Sequence, residues 1–529
     1  MTDRITCNGE LAVPVPSGLH FLPHQREGIT FAVNRLRTHR GAMFGDVMGL
    51  GKTIEAIGTA NVLGPRRILV VCPASMLFTW WREIRTWQTL GLRVFLIQAG
   101  RDVADNHRLL EAGVDGWFII NYDILRNYPE AKSDRPWDLV ILDESHKLKN
   151  PEASRTQHVF GSDTIAPIAA QKALLLTGTP MANYVHDLYT QLNYLDPGTW
   201  PSFKQFVDAY YAPGYKIIDP SQVVGEERNL GLLRRQLASV MIRRSKSVLN
   251  LPPKEREIVT VAVDDDGFWP WLGNQSRSLN RLQRQLMNLL DGATTIEIRL
   301  RIQDLQAKIH GIISNVRYQV GMAKLPAVIR YLRGCTGKTL VFAYHHDVIE
   351  SLMEALADRG MSGFTGASTL RDRDRAANRF QKEPNRQFFV GNIEAAGQGI
   401  TLTAARHVVF AEPDWRGTYL EQAEDRAHRI GQTEPVQVTY LLLDQNAWST
   451  DSWMDTKVKD KQVVIDAVLG SLDDVSENLW PIQQRSARSC SHSASFDHLR
   501  RPETLRTAMA TAFFWPTNTT SFLPLVIPV

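Results

Sequence analysis

Cysteine is scarce. The chain of 529 residues has four, at Cys7, Cys72, Cys335 and Cys490, far apart and with no C-x-x-C pair among them. A zinc ribbon, a dithiol redox motif and a secreted disulfide framework are all disfavoured, and a reducing, intracellular setting fits. Long apolar runs are also missing. Nowhere do eighteen apolar residues follow one another, so no membrane span is expected. Met1 to Leu19 has no apolar stretch of signal-peptide length. The apolar end, Phe522 to Val529, contains Pro524 and Pro528 and reads as a tail, not an anchor. Charge of one sign is not in excess: 60 Lys and Arg face 56 Asp and Glu, a formal net charge of +4. That balance permits a nucleic-acid partner without demanding one. A lysine-rich nuclear-import run is absent too. With the compact size, this points to a bacterial or phage cytoplasm, or to the nucleus if the source is eukaryotic.

What is present is an ordinary globular composition, 43% hydrophobic and 22% charged. At roughly 100–200 residues per domain, two to four domains are expected. Short continuous apolar runs recur at Ile68–Cys72, Trp117–Tyr122, Leu139–Leu142 and Ala173–Leu176. They return at Thr339–Ala343, Gln387–Val390, His407–Ala411 and Val436–Leu442. Continuous runs suit strands buried on both faces of a parallel sheet. Their alternation with helical patterns predicts an α/β fold. Between the two sets, leucines at helical spacing in Leu279–Leu290 and Ile296–Ile309 predict helices, and Leu251-Pro252-Pro253 is a breaker. The expected organisation is an N-terminal extension at 1–17 and a first lobe at 18–245, with a helical insertion from about 190. A linker with a helical insertion follows at 246–319, then a second lobe at 320–470. A disordered tail, small, polar and basic, closes the chain at 471–529.

The strongest local signal is Gly45-Asp46-Val47-Met48-Gly49-Leu50-Gly51-Lys52-Thr53. Glycines let a backbone approach phosphate, Lys52 can neutralise it, and the Thr53 hydroxyl suits Mg²⁺. Asp46 stands where the strict phosphate-loop pattern has its first glycine. Downstream, Leu139-Val140-Ile141-Leu142-Asp143-Glu144 is an apolar strand ending in two acids, where open α/β sheets bind ligands. Asp143 suits Mg²⁺ and Glu144 suits an attacking water. Gly337-Lys338-Thr339 precedes an apolar strand instead of following one. It reads as a turn.

Taken together, these residues resemble the Swi/Snf-type DNA translocases of helicase superfamily 2, over about Leu19 to Gly470. Leu22-Pro23-His24-Gln25-Arg26-Glu27-Gly28 resembles the adenine-reading segment, with Gln25 as base contact. Asp46 to Thr53 matches the family's D-E-M-G-L-G-K-T, with Val47 in place of Glu. Val71 to Ser75 with Trp80 and Glu83 resembles a motif that touches the DNA backbone. Asp143 to Asn150 is similar to the acidic box, and Leu176-Thr177-Gly178-Thr179-Pro180 with Asn183 to the coupling motif. Arg243-Arg244-Ser245-Lys246 with Leu251 to Lys254 resembles the link into the second lobe. There, Ala395 to Leu402 and Gln422-Ala423-Glu424-Asp425-Arg426-Ala427-His428-Arg429-Ile430-Gly431-Gln432 continue the likeness. The Ser145-His146 form of the acidic box and the short length are similar to the annealing-helicase, fork-remodelling branch.

The resemblance implies two RecA-like parallel-sheet lobes with helical insertions between them. It implies ATP and Mg²⁺ as cofactors, and double-stranded or forked DNA bound without regard to sequence. The nucleotide would be held by Gln25, Asp46, Gly49, Leu50, Gly51, Lys52 and Thr53, and the metal by Thr53 and Asp143. Glu144, Lys52, Gln422, Arg426 and Arg429 would be catalytic. DNA would meet Ser75, Gly366, Gln398, Thr401 and Trp415. Taken singly, Arg426 and Arg429 also fit a solvated helix face, and Trp415 also fits core packing. Two other functions stay open: a strand-separating DNA or RNA helicase, and a catalytically silent DNA-binding scaffold. No L-S-G-G-Q signature is present, which disfavours a transporter ATPase.

Overall fold

The computed structural model describes residues 11–443, apart from 99, 101–102, 133–134, 182–183, 291–295, 365–369, 394–401 and 415–416. Two all-parallel sheets dominate the described residues. The first contains β1 (Gly41–Phe44), β2 (Arg67–Cys72), β3 (Val94–Leu96), β4 (Gly116–Asn121), β5 (Trp137–Asp143) and β6 (Ala170–Leu176). A small antiparallel hairpin follows, β7 (Lys216–Asp219) with β8 (Gln222–Val224). The two-residue β9 (Met241–Ile242) then completes the first sheet, in the order β3-β4-β2-β5-β6-β1-β9. The second sheet contains β10 (Lys254–Val261), β11 (Thr339–Ala343), β12 (Met361–Phe364), β13 (Phe388–Asn392), β14 (His407–Phe410) and β15 (Val436–Leu443), in the order β10-β15-β14-β11-β13-β12. The α/β class with two parallel sheets, expected from the sequence, is the architecture observed.

The continuous apolar runs are explained by burial on both faces. In β2, Leu69 and Val71 enter one core with Phe118, Ile120, Val140 and Leu142. Their neighbours Ile68 and Val70 enter a second core on the opposite face, with Ile119, Ile141 and Trp80. The second sheet repeats the plan, with Phe342, Phe389 and Phe410 on one side and Val341, Phe388 and Val409 on the other.

Some elements lie where the sequence pattern did not mark them. β10 falls inside the segment expected to be linker, yet it pairs with β15 along its whole length. The two helices that the leucine spacing did mark run longer than expected, Phe268–Leu290 and Ile296–Gly334, and pack together through Leu279, Leu286, Leu305 and Ile309. The second runs straight across residue 320, so no break falls there. Lys324, fully buried, donates from its ammonium to the Leu441 carbonyl of β15 at 2.9 Å and ties this helix to the second sheet. The second Gly-Lys-Thr is a turn. Gly337 has φ +79°, and Lys338 donates to the Phe380 and Glu383 carbonyls at the end of helix Leu370–Lys382. The tail at 471–529 lies outside the described residues. No helix among the described residues is long and apolar enough to cross a membrane.

Candidate active site

β1, β5 and β6 are neighbours in the first sheet, and the loops at their carboxyl ends meet. Gly45 to Thr53 leaves β1 and enters helix Lys52–Leu63. Two glycines shape the loop, Gly49 at φ +91° and Gly51 at φ +93°, a left-handed backbone that suits glycine. Crowding reinforces the choice. A Cβ on Gly51 would lie 2.4 Å from Gln25 Nε2, and one on Gly49 would lie 3.3 Å from the Cβ of Arg429 in the second lobe. Lys52 donates to the carbonyls of Asp46 (2.7 Å) and Val47 (3.3 Å). Its burial lowers its pKa, against the opposing pull of Glu144, Asp46 and Asp143.

The acid pair closes β5. Asp143 is 7% exposed. One carboxylate oxygen accepts from the Trp80 indole N–H at 2.8 Å, the other from the Glu144 amide at 2.9 Å. Burial and the adjacent Glu144 charge push Asp143 up to about 7. Glu144 is half-buried, its side chain 15% exposed, which on its own would raise its pKa. The His146 hydrogen bond and the charges of His146, Lys52 and Lys147 outweigh that and hold it at about 2. Their surroundings thus push the two neighbouring carboxyl pKa values in opposite directions. Glu144 adopts φ +51°, an uncommon conformation for a side chain of this kind. Its carboxylate sits 3.3 Å from His146 Nδ1, which also meets the Thr177 hydroxyl at 3.0 Å.

The second lobe supplies the opposite wall. Helix Gly417–Glu424 ends in a turn carrying Arg426 and Arg429. Both line a cleft of about 600 Å³ that also includes Gly49, Gly51, Lys52, Thr53, Asp143 and Glu144. Burial and the neighbouring Arg429 charge pull Arg426 down to about 10, with Glu144 opposing. Six expected residues of the first lobe and two arginines of the second are thus brought together.

Other expected residues lie elsewhere. Asp46 was expected at the nucleotide, yet its carboxylate is fully buried and turned to Arg244, whose amide and guanidinium both donate to it. An acid in a dry loop needs a cation, and the cation comes from 198 residues away. Gln25 braces the loop instead of lining the cleft. Its Nε2 donates to the Leu50 carbonyl at 3.2 Å, and its Oε1 accepts from the Leu22 amide at 3.0 Å. Leu50 is fully buried, and its carbonyl also accepts from His24 at 2.9 Å. Gln422 is 4% exposed and does not line the cleft. Ser75, expected at DNA, lines the same cleft as the phosphate loop. Gly366, Gln398, Thr401 and Trp415 lie outside the described residues, as does Asn183. The sequence pattern put Trp80 with a DNA motif. The structure puts its indole on Asp143, and no spacing rule links residues 63 apart. Arg373 and Asn378 of helix Leu370–Lys382 also line the cleft without having been singled out.

Comparison with known proteins matches the SNF2-related domain to residues 24–301. This chain belongs to the SNF2-related family. The helicase conserved C-terminal domain matches residues 323–431 of the same SNF2-related chain. Curated relatives include "DNA annealing helicase and endonuclease ZRANB3" of Bos taurus, 32% identical over 81% of this chain and 39% of that protein. Another is "SWI/SNF-related matrix-associated actin-dependent regulator of chromatin subfamily A-like protein 1" of Xenopus tropicalis, 30% identical over 85% of this chain and 45% of that protein. The chain spans about two-fifths of the length of these relatives. The first bears an annealing-helicase name, the branch that the sequence resembled. A solved structure, the Sulfolobus solfataricus SWI2/SNF2 ATPase core in complex with dsDNA, is similar at 22% identity and TM-score 0.39, covering 86% of this chain and 94% of that one.

Proposed function

We propose that this SNF2-related chain is a DNA-dependent ATPase that moves along or remodels double-stranded DNA. The observation that carries the reading is the shared cleft. Gly49, Gly51, Lys52, Thr53, Asp143 and Glu144 of one lobe line it with Arg426 and Arg429 of the other. Left-handed glycines and a half-buried lysine suit a triphosphate substrate. Oxygen donors on Thr53 and Asp143 would hold Mg²⁺, which when bound neutralises charge on the substrate's phosphates. Glu144, held anionic by its neighbours, is suited to orient an attacking water. Arg426 and Arg429 supply guanidinium charge from across the cleft, where negative charge grows during phosphoryl transfer. Because they belong to the second lobe, turnover is tied to closure, and cycles of closure can drive alternating grip on DNA.

The proposed boundaries are a first lobe at 18–245 and a second at 320–470, with β10 reaching the second lobe's sheet from the linker at 246–319. DNA as partner and annealing as activity are supported by the first relative's name, and duplex or forked DNA with fork remodelling is our reading of the family resemblance. Helicase-type contacts fall mainly on phosphates, so binding without sequence preference is expected. The test is steady-state ATPase activity without nucleic acid and with duplex, forked or single-stranded DNA or RNA, at one salt concentration. Strong stimulation by duplex or forked DNA is expected. Stimulation by single strands or RNA alone would favour a strand-separating helicase. Absence of turnover with every nucleic acid would favour a silent scaffold.

A further inference from the structure

The stretch that leaves the first sheet touches both halves of the cleft. β9 ends at Ile242, and the next two residues hold the first lobe. The Arg243 guanidinium donates to the carbonyl of Gly45, at the root of the phosphate loop, and to that of Gly178 at 3.1 Å. Arg244 holds the loop's Asp46, and Glu55 on the helix behind it at 2.7 Å. Two residues later the chain grips the other lobe. The Lys246 ammonium donates to the Asp425 carboxylate and, at 2.6 Å, to the His428 carbonyl. Asp425 precedes Arg426, and His428 precedes Arg429. The His428 ring donates back to the Pro252 carbonyl at 2.8 Å. Lys246 is 18% exposed and Asp425 10%, so water weakens this pair less than it would at an open surface.

Chain length gives these contacts their force. Two residues span at most about 7 Å. With Arg244 fixed to the phosphate loop and Lys246 fixed to the arginine turn, the two walls are held in register by a tether too short to stretch. We infer that Lys246 is a positioning residue. It holds Arg426 and Arg429 against the phosphate loop by gripping the turn that carries them, and it acts through Asp425 and the His428 carbonyl. The inference rests on the proposed reading of the cleft as a site of ATP hydrolysis.

The test is duplex-stimulated ATPase kinetics on the full chain, with Lys246→Met, Lys246→Arg and Asp425→Asn, and Arg429→Ala as control. A misplacement of about 1 Å costs on the order of 10²-fold in rate. Lys246→Met and Asp425→Asn should therefore lose about that much kcat while KM for ATP stays within about twofold. Lys246→Arg, which keeps the charge and the reach, should retain most of the turnover. Near-normal kcat in Lys246→Met overturns the inference, as does a loss accounted for by KM. A folded Asp425→Asn with normal turnover overturns it even where Lys246→Met is unstable. A wild-type chain without DNA-stimulated turnover, or an Arg429→Ala chain that turns over normally, strikes instead at the reading of the cleft.

Discussion

Replacing Arg244 by methionine removes one cation from beneath the phosphate loop and leaves two carboxylates behind. Asp46 and Glu55 are both fully buried, and the Arg244 side chain that pairs with them is only 9% exposed. The third partner, Glu27, is 67% exposed and 3.5 Å away, and it contributes little. Breaking a buried pair from one side costs roughly 3–5 kcal/mol, because charge stays in a dry site with nothing to balance it. For domains of this size about 2–4 °C of melting temperature accompanies each kcal/mol, so a drop of roughly 6–20 °C is expected. The pH dependence has a definite sign. Burial and the Asp46 charge already raise the Glu55 pKa well above the carboxylate range, while Arg244 pulls it down. A raised folded pKa means stability present below the unfolded value and lost as pH rises through the folded one. Without Arg244 the Glu55 pKa rises further. The deficit relative to wild type should then grow as pH rises through the raised folded pKa of wild-type Glu55, where only wild type can ionise this acid beside a cation, and shrink below it, the unfolded value being common to both chains. Glu55→Gln added to Arg244→Met removes the titrating group and should flatten this pH dependence. Thermal melting across pH reads all of this. A drop below about 2 °C, or the same drop at each pH, would refute the reasoning.

Three further outcomes concern the cleft. Glu144→Gln should still take up ATP but hydrolyse it at least about 10²-fold more slowly, seen by comparing nucleotide binding with single-turnover rates. Wild-type turnover would remove Glu144 from any role with water. Arg429→Ala should keep KM for ATP and lose kcat, with arginine fingers elsewhere setting the scale at about 10³–10⁵. A rise in KM at unchanged kcat would show that Arg429 only binds. Trp80→Phe keeps the buried ring but drops the donor to Asp143, a contact worth about 1.5–3 kcal/mol for a charged acceptor. Half-saturation by Mg²⁺ should shift upward by roughly 10–100-fold. An unshifted Mg²⁺ titration would show that the indole does not steady that carboxylate.

The legibility of the strands follows their place in the sheets. β2, β4, β5 and β11 are interior, covered on both faces, and appear as unbroken apolar runs. β3, β10 and β12 are edge strands. In β10, Lys254-Glu255-Arg256-Glu257 opens the strand, because one side faces water and Lys254 and Arg256 turn to Glu424. Such a run reads as linker until its pairing partner is known. β1 is interior too, between β6 and β9, but its four residues, Gly41-Ala42-Met43-Phe44, are too short to form a run.

By itself the sequence determined the class, the two parallel sheets, the glycine-rich loop before Lys52 and the acid pair at the end of β5, because each is a local pattern. Glycines beside a lysine, and acids at the end of an apolar strand, do their work within a few residues. Tertiary structure alone decided what those groups face. It turned Asp46 away from the cleft to Arg244, put Trp80 on Asp143, set Arg429 over Gly49, and ran Lys246 across to the arginine turn. Buried charges and hydrogen-bond donors take whatever partner packing brings within about 3 Å, and sequence distance does not enter that choice.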